Sequence, residues 1–242
     1  MPLPDGERPR RVLVTGAAKR IGRAIVVELF RRGFQVAIHY NHSRDEALEA
    51  ASECGNAPIF QADLSRVPEI RRLFRQIRDE FGPLQFLVNN AARFTRFDPL
   101  KIEESDWDDI HSVNLKAVFF CCQEAARQMT DGEGGRIVNI SSLGGIRPWA
   151  EHAHYCASKA GVIMLTRALA KAFAPRITVN SVAPGVILAS EAEPEAAAMI
   201  KATPVKRAGK PEEVAEAVHF FLTAPDFITG QVLAVDGGLS QR

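Results

Sequence analysis

Arg11-Val12-Leu13-Val14-Thr15-Gly16-Ala17-Ala18-Lys19-Arg20-Ile21-Gly22 is the stretch on which the fold is decided. After Arg11, the run Val12-Leu13-Val14-Thr15 is apolar or β-branched, as a buried strand requires. Small residues follow, and then a helical pattern over 21–32, with Ile21, Ala24, Ile25, Leu29 and Phe30 on one stripe and Gly33 as its stop signal. Strand, tight turn and helix form the first half of a βαβ unit. The second half is the next apolar run, 35–39.

The alternation continues outward from there. Further strands are predicted at 57–61, 86–88, 136–140, 177–182 and 232–235. Helices are predicted at 67–81, 114–128, 153–173 and 211–222. Ser43 reads as a helix N-cap, with Glu46 three residues on completing a capping-box pattern. The strands are nearly continuous in Val, Ile, Leu and Ala rather than alternating. Such strands are buried on both faces, so the chain is predicted to be α/β, a single-domain, doubly wound parallel sheet with helices on both faces. This unit spans 11–242, behind a frayed N-terminal tail at 1–10 with three prolines and mixed charge. An irregular stretch at 188–207, rich in Ala, Glu and Pro, is either a solvated surface loop or a substrate lid.

Composition narrows the function. The 242 residues carry Lys+Arg 30 against Asp+Glu 29, a net charge of +1, with 46% hydrophobic and 24% charged residues. That balance argues against a nucleic-acid partner, which needs clustered cations. No apolar run is long enough to span a membrane. The N-terminus lacks the pattern of a signal peptide. Cys54, Cys121, Cys122 and Cys156 have neither disulfide-framework nor metal spacing, so no metal is expected and a reducing cytoplasm is the expected location.

The turn after the first strand is where a doubly wound sheet binds a dinucleotide. Gly16, Ala18, Lys19, Arg20, Ile21 and Gly22 are therefore candidate cofactor contacts, although a glycine-rich turn also serves simply to pack strand on helix. The second strand ends His39-Tyr40-Asn41-His42-Ser43-Arg44, without a carboxylate before Asp45. A site for a ribose 2′-hydroxyl usually has an acid there, whereas a 2′-phosphate wants donors and positive charge. Tyr40, Asn41, His42 and Ser43, with Lys19 and Arg20 nearby, predict NADP(H) as cofactor.

Four polar residues stand at telling positions: Asn114, Ser142, and Tyr155 with Lys159, four apart on one predicted helix face. Together with Thr15-Gly16, Arg20-Ile21-Gly22, Asp63, Asn89-Asn90-Ala91-Ala92, Pro184-Gly185 and Val235-Asp236-Gly237-Gly238, they make the chain resemble a one-domain short-chain dehydrogenase/reductase over roughly 11–239. The resemblance implies a Rossmann-type fold and hydride transfer between NADP(H) and a carbonyl or alcohol. It makes Tyr155 the general acid or base, its phenol acidified by the Lys159 ammonium. It makes Ser142 the donor that polarises the carbonyl. Asn114 would hold a water in a proton relay. Asp63 and Leu64 would face the adenine, and Asn90 and Ala91 the ribose. Lys159 and Tyr155 would border the nicotinamide ribose, and Pro184, Gly185 and Ile187 the nicotinamide amide. A homotetramer is implied, built through the two long helices and the last strand region.

The substrate class stays open among three readings. A ketone such as a 3-oxoacyl group is the first. Arg20, standing where the family usually has Gly, also resembles NADPH-dependent pteridine reductases, although Ser142 departs from that branch. The third is a non-catalytic nucleotide-binding module, which would have no need to keep the four polar residues together. Candidate substrate walls are Arg93, Phe94, Pro148, Trp149 and His154. Arg127, Lys171 and Arg176 either dock an acidic carrier protein or form a solvated face.

Overall fold

The structure is a computed structural model describing residues 10–188 and 194–241. Residues 1–9 of the expected tail, and part of the 188–207 stretch, lie outside the described residues. Arg10 stacks over the Phe34 ring at 3.9 Å.

Seven strands form one parallel sheet: β1 Arg11–Val14, β2 Gln35–Tyr40, β3 Ile59–Gln61, β4 Phe86–Asn89, β5 Gly135–Ile140, β6 Ile177–Pro184 and β7 Val232–Val235. Their order is β3-β2-β1-β4-β5-β6-β7, and every pairing is parallel. The helices are α1 Arg20–Arg31, α2 Arg44–Glu53, α3 Val67–Glu80, α4 Glu104–His111, α5 Ala117–Thr130, α6 Ala153–Phe173, α7 Pro194–Ala202 and α8 Pro211–Thr223.

The continuous apolar strands feed two cores. Val12, Val14, Val36 and Ile38 turn to one face and pack with Ile25 and Leu29 of α1, Ala47 of α2, and Val214 and Val218 of α8. Leu13, Ala37, Leu87, Ile137 and Val179 turn to the other face, against Leu73 and Ile77 of α3, Cys121 and Cys122 of α5, and Val162 of α6. Adjacent residues of one strand thus serve opposite cores, which is the alternation of strand side chains at work.

Three local readings are corrected. The predicted helix at 114–128 is part of a longer run in which α4 leads through a π-helical turn, Ser112–Lys116, into α5. Ser43 does precede α2, but its side chain caps nothing. Glu46 pairs instead with the Lys19 ammonium. The 188–207 stretch carries a helix, α7, and its end is tied to the sheet side, where Val205 N donates to Gly237 O at 3.3 Å.

Strand order reverses between β1 and β4: the chain moves outward from β1 to β3 on one side and from β4 to β7 on the other. Loops leaving those two strands must part there, so a crevice opens at their carboxyl ends.

Candidate active site

The crevice is a cavity of about 450 Å³. From the turn after β1 it is lined by Gly16, Lys19, Arg20, Ile21 and Gly22. From the ends of β2 and β3 come His39, Asn41, Asp63 and Leu64. From beyond β4 come Asn90, Ala91, Ala92, Arg93 and Phe94, with Val113 from the π turn.

The turn is built for close approach. Gly16 has φ +62°, and a Cβ there would lie 2.8 Å from Ala91 Cα. A Cβ on Gly22 would lie 2.2 Å from Gly16 O. Asn90 staples the turn through its side chain, since Nδ2 donates to Thr15 O and Gly16 O, both at 2.9 Å. The Thr15 hydroxyl accepts from Asn90 N at 2.9 Å and Ala91 N at 3.0 Å. No side chain caps the first turn of α1, and that turn holds no acid. Its backbone donors and the positive end of the helix dipole suit a pyrophosphate, so the residues present fit a dinucleotide.

His39 is the contributor that sequence reading missed. It is buried. Its Nδ1 accepts from Gly16 N at 3.1 Å, and its Nε2 lies 3.0 Å from Ala62 O. Those partners set the tautomer: a carbonyl can only accept, so Nε2 carries the proton. Burial pushes the ring down to about 4, so it is neutral. One imidazole thus ties the glycine turn to the ends of β2 and β3. A polar residue inside an apolar strand was the available signal.

Other expected contacts are placed differently. The Ala18 side chain is in the core. Tyr40 packs against the same core, because its place in β2 points it at the helices. Asn41 is the one residue of 40–43 that lines the cavity. Pro184 ends β6, and Gly185 N bonds Val235 O at 3.0 Å. Ile187 pairs with Gly209. These three do not line the cavity.

Arg20 stands at φ +50°, in the left-handed region that favours glycine. A non-glycine residue there costs about 1–2 kcal/mol. Arg20 lines the cavity, and among the described residues nothing pairs with its guanidinium.

The second half of the site is buried beside the cavity. Ser142 follows β5 and opens a short 3₁₀ turn; its Oγ accepts from Gly144 N at 3.0 Å, leaving its own proton to donate. The Ser142 side chain stands close enough to the Tyr155 phenol to favour its ionised form. Lys159, one turn further along α6, is buried, with Nζ donating to Ile140 O at 2.9 Å and lying 5.9 Å from the Tyr155 ring centroid. Gly145 lets α6 come this close, because a Cβ there would lie 2.7 Å from the Lys159 backbone carbon.

The expected acidification of the phenol is not what the structure shows. Burial pushes Tyr155 up to about 12, and the neighbouring Ser142 side chain pulls it only partly back. Burial likewise pushes Lys159 down to about 8. Desolvation disfavours both charged forms.

Asn114 is fully buried in the π turn. Its Oδ1 accepts from Arg93 N at 2.8 Å, and its Nδ2 donates to Arg93 O at 2.9 Å and Ser158 Oγ at 3.2 Å. Its side-chain amide is therefore spent on holding the loop after β4 against α6, which leaves little of it for the water expected from sequence. Phe94, on that loop, is 62% exposed and meets Tyr155 edge-on at 4.8 Å. Trp149 lies parallel to Tyr155 at 6.2 Å.

A family model described as Enoyl-(Acyl carrier protein) reductase matches residues 16–240. The 3-oxoacyl-[acyl-carrier-protein] reductase of Staphylococcus epidermidis is 35% identical over 240 residues, covering 95% of this chain and 98% of its own.

The chain is a short-chain dehydrogenase/reductase.

Solved structures superpose along nearly all of the chain. The short-chain dehydrogenase/reductase of Serratia marcescens has a TM-score of 0.89 at 35% identity, covering 96% of this chain and 98% of that one. A variant of actinorhodin polyketide ketoreductase with NADPH has a TM-score of 0.89 at 31% identity, covering 97% and 98%. An oxidoreductase of this family that acts on C=O or CH–OH groups fits both the Rossmann fold and the polar set beside the crevice. Among the described residues no helix is long and apolar enough to cross a membrane.

Proposed function

We propose that this short-chain dehydrogenase/reductase is an NADP(H)-dependent ketoreductase that reduces a ketone such as a 3-oxoacyl group. One observation carries the reading. A phenol and a serine hydroxyl stand together beside a crevice that fits a dinucleotide, with a buried ammonium one turn further along the same helix.

A bound nicotinamide supplies the hydride. Ser142, its oxygen held by Gly144 N, donates its proton to the ketone oxygen and orients it. Tyr155 gives that oxygen its phenolic proton, and the new alcohol keeps it. The phenolate left behind lies within reach of the Lys159 ammonium, which offsets its charge. A phenol held near 12 is protonated at neutral pH. It is loaded for reduction, which consumes a proton, rather than for oxidation, which needs phenolate first.

Several features support NADP(H) over NAD(H). The end of β2 offers Asn41 and no carboxylate, and Arg20, unpaired among the described residues, lines the same cavity. The ketoreductase with a TM-score of 0.89 was solved with NADPH. Arg20 together with the exposed Phe94 ring also favours a second reading, a pterin as substrate.

The carrier-docking patch has less support. Arg127 is paired with Glu124 at 2.6 Å. Lys171 follows Tyr155 on α6 by sixteen residues, about 24 Å at 1.5 Å per residue, so the patch sits at the far end of the helix from the phenol. A homotetramer remains part of the proposal, supported by exposed Phe119 and Met164 on the long helices and Leu233 on β7.

The test is NADPH oxidation, followed by absorbance, across ketones, 3-oxoacyl thioesters, sugars and dihydropterins. Tyr155→Phe is expected to lower kcat by about 10²–10⁴ and leave NADPH affinity intact. Undiminished turnover in that variant overturns the assignment. Silence across the panel despite tight NADPH binding would instead favour a nucleotide-binding module.

A further inference from the structure

Residues 90–98, beyond β4, carry Phe94 but form no helix or strand of their own. A segment without internal hydrogen bonds holds its place only through ties to its neighbours. Past the Asn114 clamp on Arg93, the ties run to one short stretch, 151–154, at the start of α6. Phe97 N donates to Glu151 O at 2.9 Å. Arg96 Nε donates to Glu151 Oε2 at 2.9 Å. The other two converge on a single residue: His152 Nδ1 lies 2.9 Å from Thr95 O, and His154 Nε2 lies 2.7 Å from Thr95 Oγ1.

The two imidazoles have distinct chemistry. His152 faces a carbonyl, so its Nδ1 bears the proton. Its ring also stacks on Phe94, 4.6 Å between centroids and 16° from parallel. His154 has no exposed surface. Its Nε2 is committed to Thr95, while its Nδ1 is buried without a hydrogen-bond partner. Leaving a buried polar atom unpaired is unfavourable, and an apolar side chain would avoid it. Packing alone therefore gives no reason for a histidine at 154; the Thr95 bond does.

We propose that His154, acting through Thr95 and assisted by His152, is a positioning residue for the carbonyl substrate: it fixes the loop that sets the Phe94 ring against Tyr155. The inference rests on the reading of Tyr155 as proton donor. The ring at 94 is the exposed wall nearest the phenol. Its place decides where a carbonyl compound rests relative to the donated proton. With no exposed surface, His154 acts through Thr95 rather than by its own contact.

Thr95→Val keeps the side-chain shape and deletes the bond to His154; Thr95→Ser keeps the hydroxyl. With acetoacetyl-coenzyme A as probe, Thr95→Val is expected to raise KM about tenfold with a much smaller change in kcat, leaving NADPH affinity unchanged. Thr95→Ser restores the wild-type KM. His154→Leu reproduces the Thr95→Val effect, and the double variant is no worse than either single one, because both delete the same bond. Independently of activity, amide hydrogen exchange across 93–98 is expected to quicken about tenfold in Thr95→Val and to return to normal in Thr95→Ser.

Unchanged exchange in Thr95→Val overturns the proposal. So does additivity of the two single variants, or a fall in kcat and NADPH affinity alike. If Tyr155→Phe keeps full turnover, the functional reading fails, while the exchange comparison still judges the clamp.

Discussion

Tyr155 and Lys159 are displaced from their ordinary acidities in opposite directions by the same cause, burial. This sets the pH dependence. The ammonium that offsets the phenolate is lost as pH rises through about 8. The kcat/KM for ketone reduction is therefore expected to be flat below that pH and to fall above it. A steady-state pH profile checks this, and Lys159→Met should be uniformly slow, without the inflection. His39 gives the opposite limb, in stability. Its folded value of about 4 lies below the ordinary 6.5, so between those values the unfolded chain binds a proton that the folded chain refuses. The group's contribution is intact above pH 6.5 and is lost as pH falls toward 4, by about 3 kcal/mol. Denaturant titrations at pH 7 and pH 4 should show a smaller drop in His39→Gln than in wild type.

At the scale of elements, the turn into α1 joins strain and recognition. Arg20→Gly removes a side chain from the left-handed region. Melting temperature is expected to hold or rise, while NADPH affinity falls about tenfold and NADH affinity falls less. Fluorescence titration with both cofactors checks this. Gly145→Ala works on α6 instead: its methyl meets the Lys159 backbone, pushing the helix off the Ser142 turn. Turnover is expected to fall more than NADPH affinity, which single-turnover kinetics and cofactor titration separate.

The strands and most helices were legible in the sequence because burial on both faces writes long apolar runs. Two helices were not. α4 buries only Ile110, too little for a periodic pattern, and α7 lies in a stretch whose alanines give no polar face for contrast. Ser142, Tyr155 and Lys159 could be read because their spacing is local to a strand end and one helix turn. The His39 tie and the Thr95 clamp could not, since their partners stand 23 and 57–59 residues away and only the crossovers bring them together.

At the scale of the whole molecule, two groups among the exposed apolar side chains bear on assembly. Phe119 and Met164 belong to the long helices, and Phe220 and Leu233 to the side of α8 and β7. The proposed homotetramer requires each of these two regions to be self-complementary, because two such surfaces on one chain close an assembly with two-fold axes. Light scattering at micromolar concentration is expected to return four chains, and Met164→Glu to reduce the assembly to dimers. A wild-type monomer would contradict this arrangement.

The ties from the loop beyond β4 run to 151–154, the short turn leading into α6 and the first turn of α6 that bears the phenol. Wall and acid therefore travel as one rigid piece. Transplanting a new substrate range into this scaffold means exchanging 93–98 together with 146–154 as a matched pair. A chimaera that swaps only one of them inherits a ring and a proton donor shaped for different guests.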